Sequence, residues 1–163
     1  MIVIADAGPL IHLSLIGRLD LLPGLYGKIL IPEVVYNEVV RSGEGLPGSS
    51  EVAGAEWIAV ENPHPEADLF RLLRGELDAG EAAAIALAID RKAEWFLADD
   101  RAARLAAERL GLKVRGTIGI LVAAKHQNLV SKVAPLLLQL QTEGVWLGEG
   151  LVQRVLQNLG EWG

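Results

Sequence analysis

The sequence predicts an α/β fold with a central parallel sheet covered by helices on both faces. Short apolar runs of strand length alternate with longer helical patterns along the chain, and this alternation is typical of parallel sheets. The first run, Ile2-Val3-Ile4, has no polar residue. A continuous apolar run suits a strand buried on both faces, so we expect the first strand to lie in the middle of the sheet.

The first half of the chain has apolar periodicity for helices, apolar runs for strands, and Gly or Pro at the boundaries. In order, these signals predict a helix over 10–16, a helical turn over 19–22 stopped by Pro23-Gly24, a strand over 28–31, a helix from Pro32 to about Arg41, a flexible Gly/Ser/Pro-rich loop over 42–54, a strand over 57–60 and a turn over 62–65.

The second half repeats the alternation and ends in a helical tail. The predicted elements are helices over 66–74 and 78–89, a strand over 94–98, a helix over 101–110, a strand over 113–115, a helix over 117–124, and tail helices over 131–143 and 148–159. The stretch Ala82–Ile89 is apolar all round, which predicts a buried helix. We expect one domain over 1–163, with 131–163 as a C-terminal helical extension.

Composition excludes several classes of protein. The chain has no Cys, which excludes disulfides and thiolate metal sites, and its three His residues are too scattered to suggest a metal site. No apolar run reaches the roughly 18 residues of a membrane span, and the N-terminus enters a strand without a basic leader. We therefore expect a cytoplasmic protein without a membrane partner. The 51% hydrophobic content predicts an interface with a second copy or a partner, with Trp146 and Trp162 as candidates.

Charge is distributed unevenly along the chain. The net charge of −6 argues against a nucleic-acid partner when taken alone. Between Arg101 and Lys132, however, there are seven Lys and Arg and one acid, Glu108. A basic segment on an acidic body predicts a phosphate-binding surface, although a solvated helix surface explains the same run equally well.

Acidic residues flank the predicted strands where the carboxyl ends of parallel strands share one edge. They are Asp6, Glu38, Glu81, and the Asp99-Asp100 pair. Carboxylate oxygens suit Mg²⁺ or Mn²⁺, and carboxylates held close together need a cation or a proton between them. The sequence therefore indicates a metal site.

Most of these acids also fit purely local roles in the backbone. Asp78 and Glu81 have the spacing of a capping box, Asp99 or Asp100 could cap the following helix, and Glu38 could face solvent. Asp6 is the hardest to assign to such a role, because a carboxylate at the end of a buried strand needs a partner.

The motifs that contain these acids resemble the PIN-domain proteins, small metal-dependent ribonuclease-like domains that include VapC-type toxins. The closest subgroup is that of predicted nucleic-acid-binding PIN proteins. The resemblance extends from Ile2 to about Leu129 and lies in Asp6-Ala-Gly-Pro-Leu-Ile11, Ile31-Pro-Glu-Val-Val-Tyr-Asn-Glu-Val39, Leu77-Asp-Ala-Gly-Glu81, Leu97-Ala-Asp-Asp-Arg101 and Gly116-Thr-Ile-Gly119. It implies a three-layer α/β/α sandwich and a metal-dependent endoribonuclease.

The resemblance also implies roles for individual residues. The catalytic set is Asp6, Glu38, Glu81 and Asp100; the ligands of Mg²⁺ or Mn²⁺ are Asp6, Glu81, Asp99 and Asp100; the residues expected to hold the RNA backbone are Arg101, Arg104, Lys113, Arg115, Thr117 and Lys125. For Thr117, a helix cap after Gly116 is the competing interpretation. Family members act as homodimers beside a small inhibitory antitoxin, so both are expected partners, and the protein could itself be such a toxin.

Two departures from the family pattern concern activity. Gly8 and Ala98 stand where many members carry a hydroxyl or an amide, and such groups tune metal sites. A catalytically weak module that binds RNA or a protein partner is therefore the alternative function. A phosphatase with an Asp nucleophile is disfavoured, because Gly8 stands where such enzymes need a second Asp.

Overall fold

Five parallel strands form one sheet in the computed structural model, which describes residues 1–64 and 68–162. The strands are β1 (Val3–Ala5), β2 (Ile29–Ile31), β3 (Ile58–Val60), β4 (Trp95–Leu97) and β5 (Val114–Arg115). Their order is β3-β2-β1-β4-β5. The first strand is therefore central, as predicted, with Ile4 paired to Leu30 on one side and to Phe96 on the other.

Helices cover both faces of this sheet. They are α1 (Ala7–Leu15), α2 (Leu21–Tyr26), α3 (Glu33–Tyr36), α4 (Ser49–Ala53), α5 (Leu69–Leu73), α6 (Ala79–Asp90), α7 (Arg101–Arg109), α8 (Thr117–His126), α9 (Ala134–Thr142) and α10 (Glu149–Asn158). The chain runs from β1 to β3 in one direction along the sheet and from β3 to β5 in the other. Right-handed crossovers therefore put α1 and α2 on one face, and α6 and α7 on the opposite face. This arrangement is the predicted α/β/α sandwich.

Burial follows the position of each element in the layers. The three residues of β1 and of β2 are buried, whereas the edge strands β3 and β5 are only partly covered. Seven consecutive residues of α6, Ala82–Ala88, are buried as well, which confirms the buried helix. Its small side chains allow the helix axis to lie close to β1.

Two predictions about local structure were wrong, and a third element differs in its type of helix. Helix α2 continues through Pro23-Gly24, because Pro23 falls in the first helical turn, where an N–H has no partner to lose. The predicted loop contains α4, whose start is secured by the Glu51 carboxylate, which accepts a hydrogen bond from the Gly48 amide at 2.8 Å. The helix predicted from Pro32 to about Arg41 is present, but its second half, Asn37–Arg41, is π-helical.

The remaining element predictions agree with the structure apart from shifts at the ends. The predicted turn over 62–65 and helix over 66–74 fall partly outside the described residues, and α5 occupies the described part of that helix. None of the helices in residues 1–64 and 68–162 is long and apolar enough to cross a membrane.

The C-terminal segment is fastened to α8 and α9 through Glu161. Its side chain is 5% exposed, contacts the Lys125 ammonium at 2.7 Å, and accepts hydrogen bonds from the backbone amides of Val133 and Ala134 at 2.9 and 2.8 Å. Burial alone would raise the pKa of Glu161. Lys125 and the two amides outweigh burial, so the pKa lies below its ordinary value.

We expect Glu161→Gln to lower the free energy of unfolding by about 1–3 kcal/mol at pH 7, because a buried charged hydrogen-bond acceptor is lost. Since the folded state lowers the pKa of Glu161, the wild-type advantage is present above about pH 4.5 and disappears as the pH falls further. Urea unfolding at pH 7 and pH 3.5 measures it, with Glu143→Gln as an exposed control. An equal loss in both variants would contradict the role of Glu161.

Candidate active site

Asp6 lies at the carboxyl edge of the sheet, in the region between the ends of β1 and β4 that we call the cleft. It follows β1 directly, its backbone amide donates to the Leu97 carbonyl at the end of β4 (2.9 Å), and the residue is 7% exposed. The order of the strands reverses between β1 and β4, and open α/β sheets bind their ligands at that point. Burial, together with the charges of Glu38, Asp78 and Asp100, raises the pKa of Asp6 to about 7 despite a hydrogen bond from the Ala7 amide.

Glu81 and Asp100 belong to the same carboxylate cluster, since the charge of Asp100 acts on both Asp6 and Glu81. Asp78 and Glu81 make the predicted capping box at the start of α6, with bonds of 2.8 and 3.1 Å, and Asp100 caps α7 by accepting from the Ala103 amide at 3.0 Å. Burial, together with the neighbouring carboxyl groups of Asp78 and Asp100, raises the pKa of Glu81 to about 7 despite a hydrogen bond from the Asp78 amide. The capping roles are therefore confirmed, and they hold the same carboxylates at the cleft.

Glu38 lies at the rim, as the solvent-facing alternative predicted. It stands in the π-helical turn and is exposed, but partial burial and the charge of Asp78 still raise its pKa. A Cβ on Gly80 would lie 3.1 Å from Oε2 of Glu38. The glycine in the Asp-Ala-Gly-Glu motif thus lets the Glu38 carboxylate approach the start of α6.

The donors in this cleft fit a divalent cation by their chemistry. Asp6, Glu38 and Glu81 each have a raised pKa, and a neighbouring carboxylate contributes to each shift. Groups that repel one another in this way gain from a bound cation, and carboxylate oxygens are the ligands that Mg²⁺ and Mn²⁺ prefer. In residues 1–64 and 68–162, however, no three His, Asp or Glu side chains converge closely enough to make a preformed metal site.

Asp99 takes part in a different network from Asp100. Its carboxylate contacts Nδ1 of His12 at 2.7 Å and accepts from the amide and the hydroxyl of Thr117, each at 2.7 Å. Burial raises the pKa of Asp99, but the bonds to His12 and Thr117 outweigh it, and the pKa is lowered overall. The adjacent acids Asp99 and Asp100 therefore have different partners: Asp100 faces Glu81, while Asp99 binds α1 and the first turn of α8.

Sequence reasoning missed His12 and left Thr117 open between a phosphate contact and a helix cap. Thr117 is the first residue of α8, and its amide and hydroxyl both donate to the Asp99 carboxylate. The position of His12 in the chain could have indicated its contact with Asp99. His12 lies in the second turn of the helix that starts at Asp6, and a residue there can reach the end of the neighbouring strand. Considered only as a metal ligand, the histidine looked isolated.

Two glycines allow Asp99 to sit where it does. A Cβ at Gly8 would lie 3.2 Å from Oδ2 of Asp99, and a Cβ at Gly116 would lie 2.9 Å from Oδ1. The family's hydroxyl or amide at position 8 would crowd Asp99 in this chain. The departure at Gly8 is thus linked to the position of Asp99.

The predicted RNA-binding residues differ in their surroundings. Arg101 and Lys113 are exposed, and Arg104 is half-buried beside Gly116. Arg115 stacks on the Trp95 ring, with its guanidinium carbon 3.8 Å from the centroid. Lys125 instead binds Glu161 and the Leu159 carbonyl, so its ammonium serves the C-terminal segment.

The parallel sheet, the helices on both faces and the acids at the switch point define a nuclease-type α/β domain. A family model described as a PIN domain matches residues 2–161. The chain therefore belongs to the PIN-domain family, whose members are generally nucleases and typically use divalent metals. No curated protein shows significant similarity to the chain.

Without a divalent cation, Asp6→Asn should stabilise the protein by about 2–4 kcal/mol at pH 8, because it removes a charge whose burial is unfavourable. The folded state raises the pKa of Asp6 from 3.8 to about 7, so wild type loses stability as the pH rises through this interval. The gain should be small at pH 4 and largest above pH 7. Unfolding in EDTA measures it, with exposed Asp20→Asn as the control; a gain that does not depend on pH would contradict the argument.

Gly116→Ala should destabilise the protein by about 1–3 kcal/mol, as overpacking does in tight sites. The new Cβ would meet Oδ1 of Asp99, Nη1 of Arg104 and the Ala98 carbonyl, and the backbone carbonyl and the bonded Asp99 cannot easily move. Thermal unfolding tests this against Gly150→Ala in α10, where the nearest atom would be 3.5 Å away. Equal stability of Gly116→Ala and wild type would show that the cleft is looser than described.

Proposed function

We propose that the protein is a metal-dependent endoribonuclease that hydrolyses RNA phosphodiesters, with Asp6, Glu81 and Asp100 holding Mg²⁺ or Mn²⁺. The observation that carries the proposal is the grouping of these carboxylates at the switch point between β1 and β4, where Asp100 repels both Asp6 and Glu81. A bound ion would neutralise charge on the scissile phosphate and lower the pKa of the attacking water.

The protein's own residues then have separate tasks. Glu38 stands at the rim with a raised pKa, where it would orient the attacking water and accept its proton. Asp99 does not enter the proposed ligand set, because His12 and Thr117 occupy its oxygens; it supports the edge to which Asp100 belongs. Arg101, Arg104, Lys113 and Arg115 would contact the phosphates of the RNA without reading the bases.

The partners in this proposal follow from the family. The protein would act in the cytoplasm as a homodimer, and a small antitoxin would control it if it is a toxin. Trp162, which is 52% exposed, is a candidate for one of these contacts because large exposed aromatic side chains are enriched in interfaces.

A binding module without strong catalysis is the second candidate. Two observations favour it: in the described part of the chain no three ligands converge, and Asp99 is bonded to other side chains. In this case the same basic surface would bind RNA or a protein, and the acids would serve mainly as helix caps.

Cleavage of a mixed-sequence RNA should require Mn²⁺ or Mg²⁺, stop in EDTA, and fall roughly 100-fold or more in Asp6→Asn and Asp100→Asn. Loss of the ion's charge stabilisation is worth several kcal/mol, and each 1.4 kcal/mol is tenfold in rate. Asn keeps the cap of α7 when it replaces Asp100, so a loss there reports on the site.

Asp20→Asn, which lies outside the cleft, should cut like wild type. Equal cutting by all variants would identify a contaminant. If nothing cuts and calorimetry detects no binding of divalent cations, the endoribonuclease proposal fails and the binding module replaces it.

A further inference from the structure

A cavity of about 690 Å³ opens beside the cleft, between the β5 edge of the sheet, α8 and the C-terminal helices. Its volume lies within the range of about 300–1,000 Å³ that small-ligand sites occupy. The cavity combines aromatic, basic and apolar side chains, among them Trp95, Arg104, Arg115, Val122, Trp146 and Leu151. The proposed metal site does not use this space, although Arg104 and Arg115 in its lining are among the residues proposed to contact RNA phosphates.

Trp146 gives the cavity an exposed aromatic surface. It lines the cavity between α9 and α10 and is 87% exposed, so it stands at the mouth. Leu151, also in the lining, is 42% exposed. A flat ring left in water beside an apolar pocket matches the platforms on which proteins stack unpaired bases.

The charges in the cavity favour a ligand that carries a phosphate. Arg104 and Arg115 both line it, and among the described lining residues the only acid is Asp99, which is bonded to His12 and Thr117. Arg115 donates one hydrogen bond to the Tyr26 hydroxyl at 2.8 Å, but a guanidinium has five N–H donors. Its stacking on Trp95 keeps the group in a defined orientation.

Asp99 places the cavity next to the carboxylate cluster along the chain. This residue belongs to the cavity lining, and the next residue, Asp100, belongs to the carboxylate cluster. A strand whose phosphate lies at Asp100 therefore has the cavity one backbone position away. The C-terminal segment supplies Trp146 and Leu151 to this wall, and Glu161 fastens that segment to α8 and α9.

We propose that this cavity binds one unpaired base of an RNA strand, with the base stacked on Trp146 and its phosphate held by Arg104 and Arg115. The identity of the strand rests on the proposed function. The mouth of the cavity would then select the nucleotide beside the scissile phosphate, and the C-terminal segment would form part of the substrate site.

The test measures binding of a short, fluorescently labelled single-stranded RNA by anisotropy in the Asp6→Asn background with EDTA. Because this experiment measures binding and not cleavage, its result can be interpreted even if the nuclease experiment fails. Trp146→Ala and Arg104→Ala should each weaken binding at least about fivefold, because one stacked base contributes about 1–3 kcal/mol. Arg109→Ala, outside the cavity, is the matched control and should stay within about twofold.

Two further measurements distinguish base stacking from electrostatic attraction alone and from misfolding of the variant. Trp146→Phe should restore most of the affinity, because a phenyl ring still stacks. Affinity for the same RNA annealed to its complement should not depend on Trp146, since its bases are paired. An unchanged affinity of Trp146→Ala for the single strand would overturn the proposal.

Different occupants of the cavity give distinct results. If uridine 5′-monophosphate competes as tightly as the RNA, the cavity is a site for free nucleotides and the assignment to a strand is wrong. If ribose 5-phosphate competes as well as uridine 5′-monophosphate, no base is bound there. If Trp146→Ala changes only the sedimentation of the protein, the cavity belongs to a contact with a second copy, which also overturns the proposal.

Discussion

Electrostatic repulsion at the carboxyl edge of the sheet is the constraint on which the site depends. The buried strand β1 ends in Asp6, and the capped starts of α6 and α7 bring Glu81 and Asp100 to the same cleft. Each backbone position is secured by ordinary helix capping and strand pairing. The energy of folding thus holds together carboxylates that would otherwise separate, and the raised pKa values of Asp6 and Glu81 record this cost. A bound cation would remove this energetic cost. The relief of repulsion is therefore the physical link between the fold and metal-dependent chemistry.

Asp99 connects this cleft to the rest of the molecule. By accepting hydrogen bonds from His12 and Thr117, Asp99 joins α1 on one side and α8 on the other to the end of β4. Gly8 and Gly116 leave room for its carboxylate. One residue therefore separates two environments, a cleft rich in carboxylates and a cavity with two arginines and two tryptophans. A polyanionic strand could contact both at once, with the ion and the arginines offsetting its charge in different places.

Much of this arrangement could be predicted from the chain alone. The apolar run at Ile2-Val3-Ile4 predicted a central strand, and the apolar stretch after Asp78 predicted a buried helix. Both predictions need only the identity of the side chains, because that identity decides whether a side chain is easily removed from water. The capping box at Asp78 and Glu81 was also predictable, since it needs only local spacing. The interruption of the predicted loop by α4 was harder to see, because its glycines and serines hide a short helix whose start depends on Glu51.

The sequence by itself determined that the first strand is central, that acidic residues gather at the carboxyl edge of the sheet, and that the chain belongs to the PIN-domain family. These features depend on patterns of apolar residues and on capping spacings, which are local in the sequence. Only the tertiary structure decided how Asp99 and Asp100 divide, because adjacent side chains in extended backbone point to opposite sides. It also decided that Lys125 binds Glu161, and that Trp146 lines the same cavity as Arg104 and Arg115. Those pairs are far apart in the chain, and only the packing of α8 to α10 against the sheet brings them together.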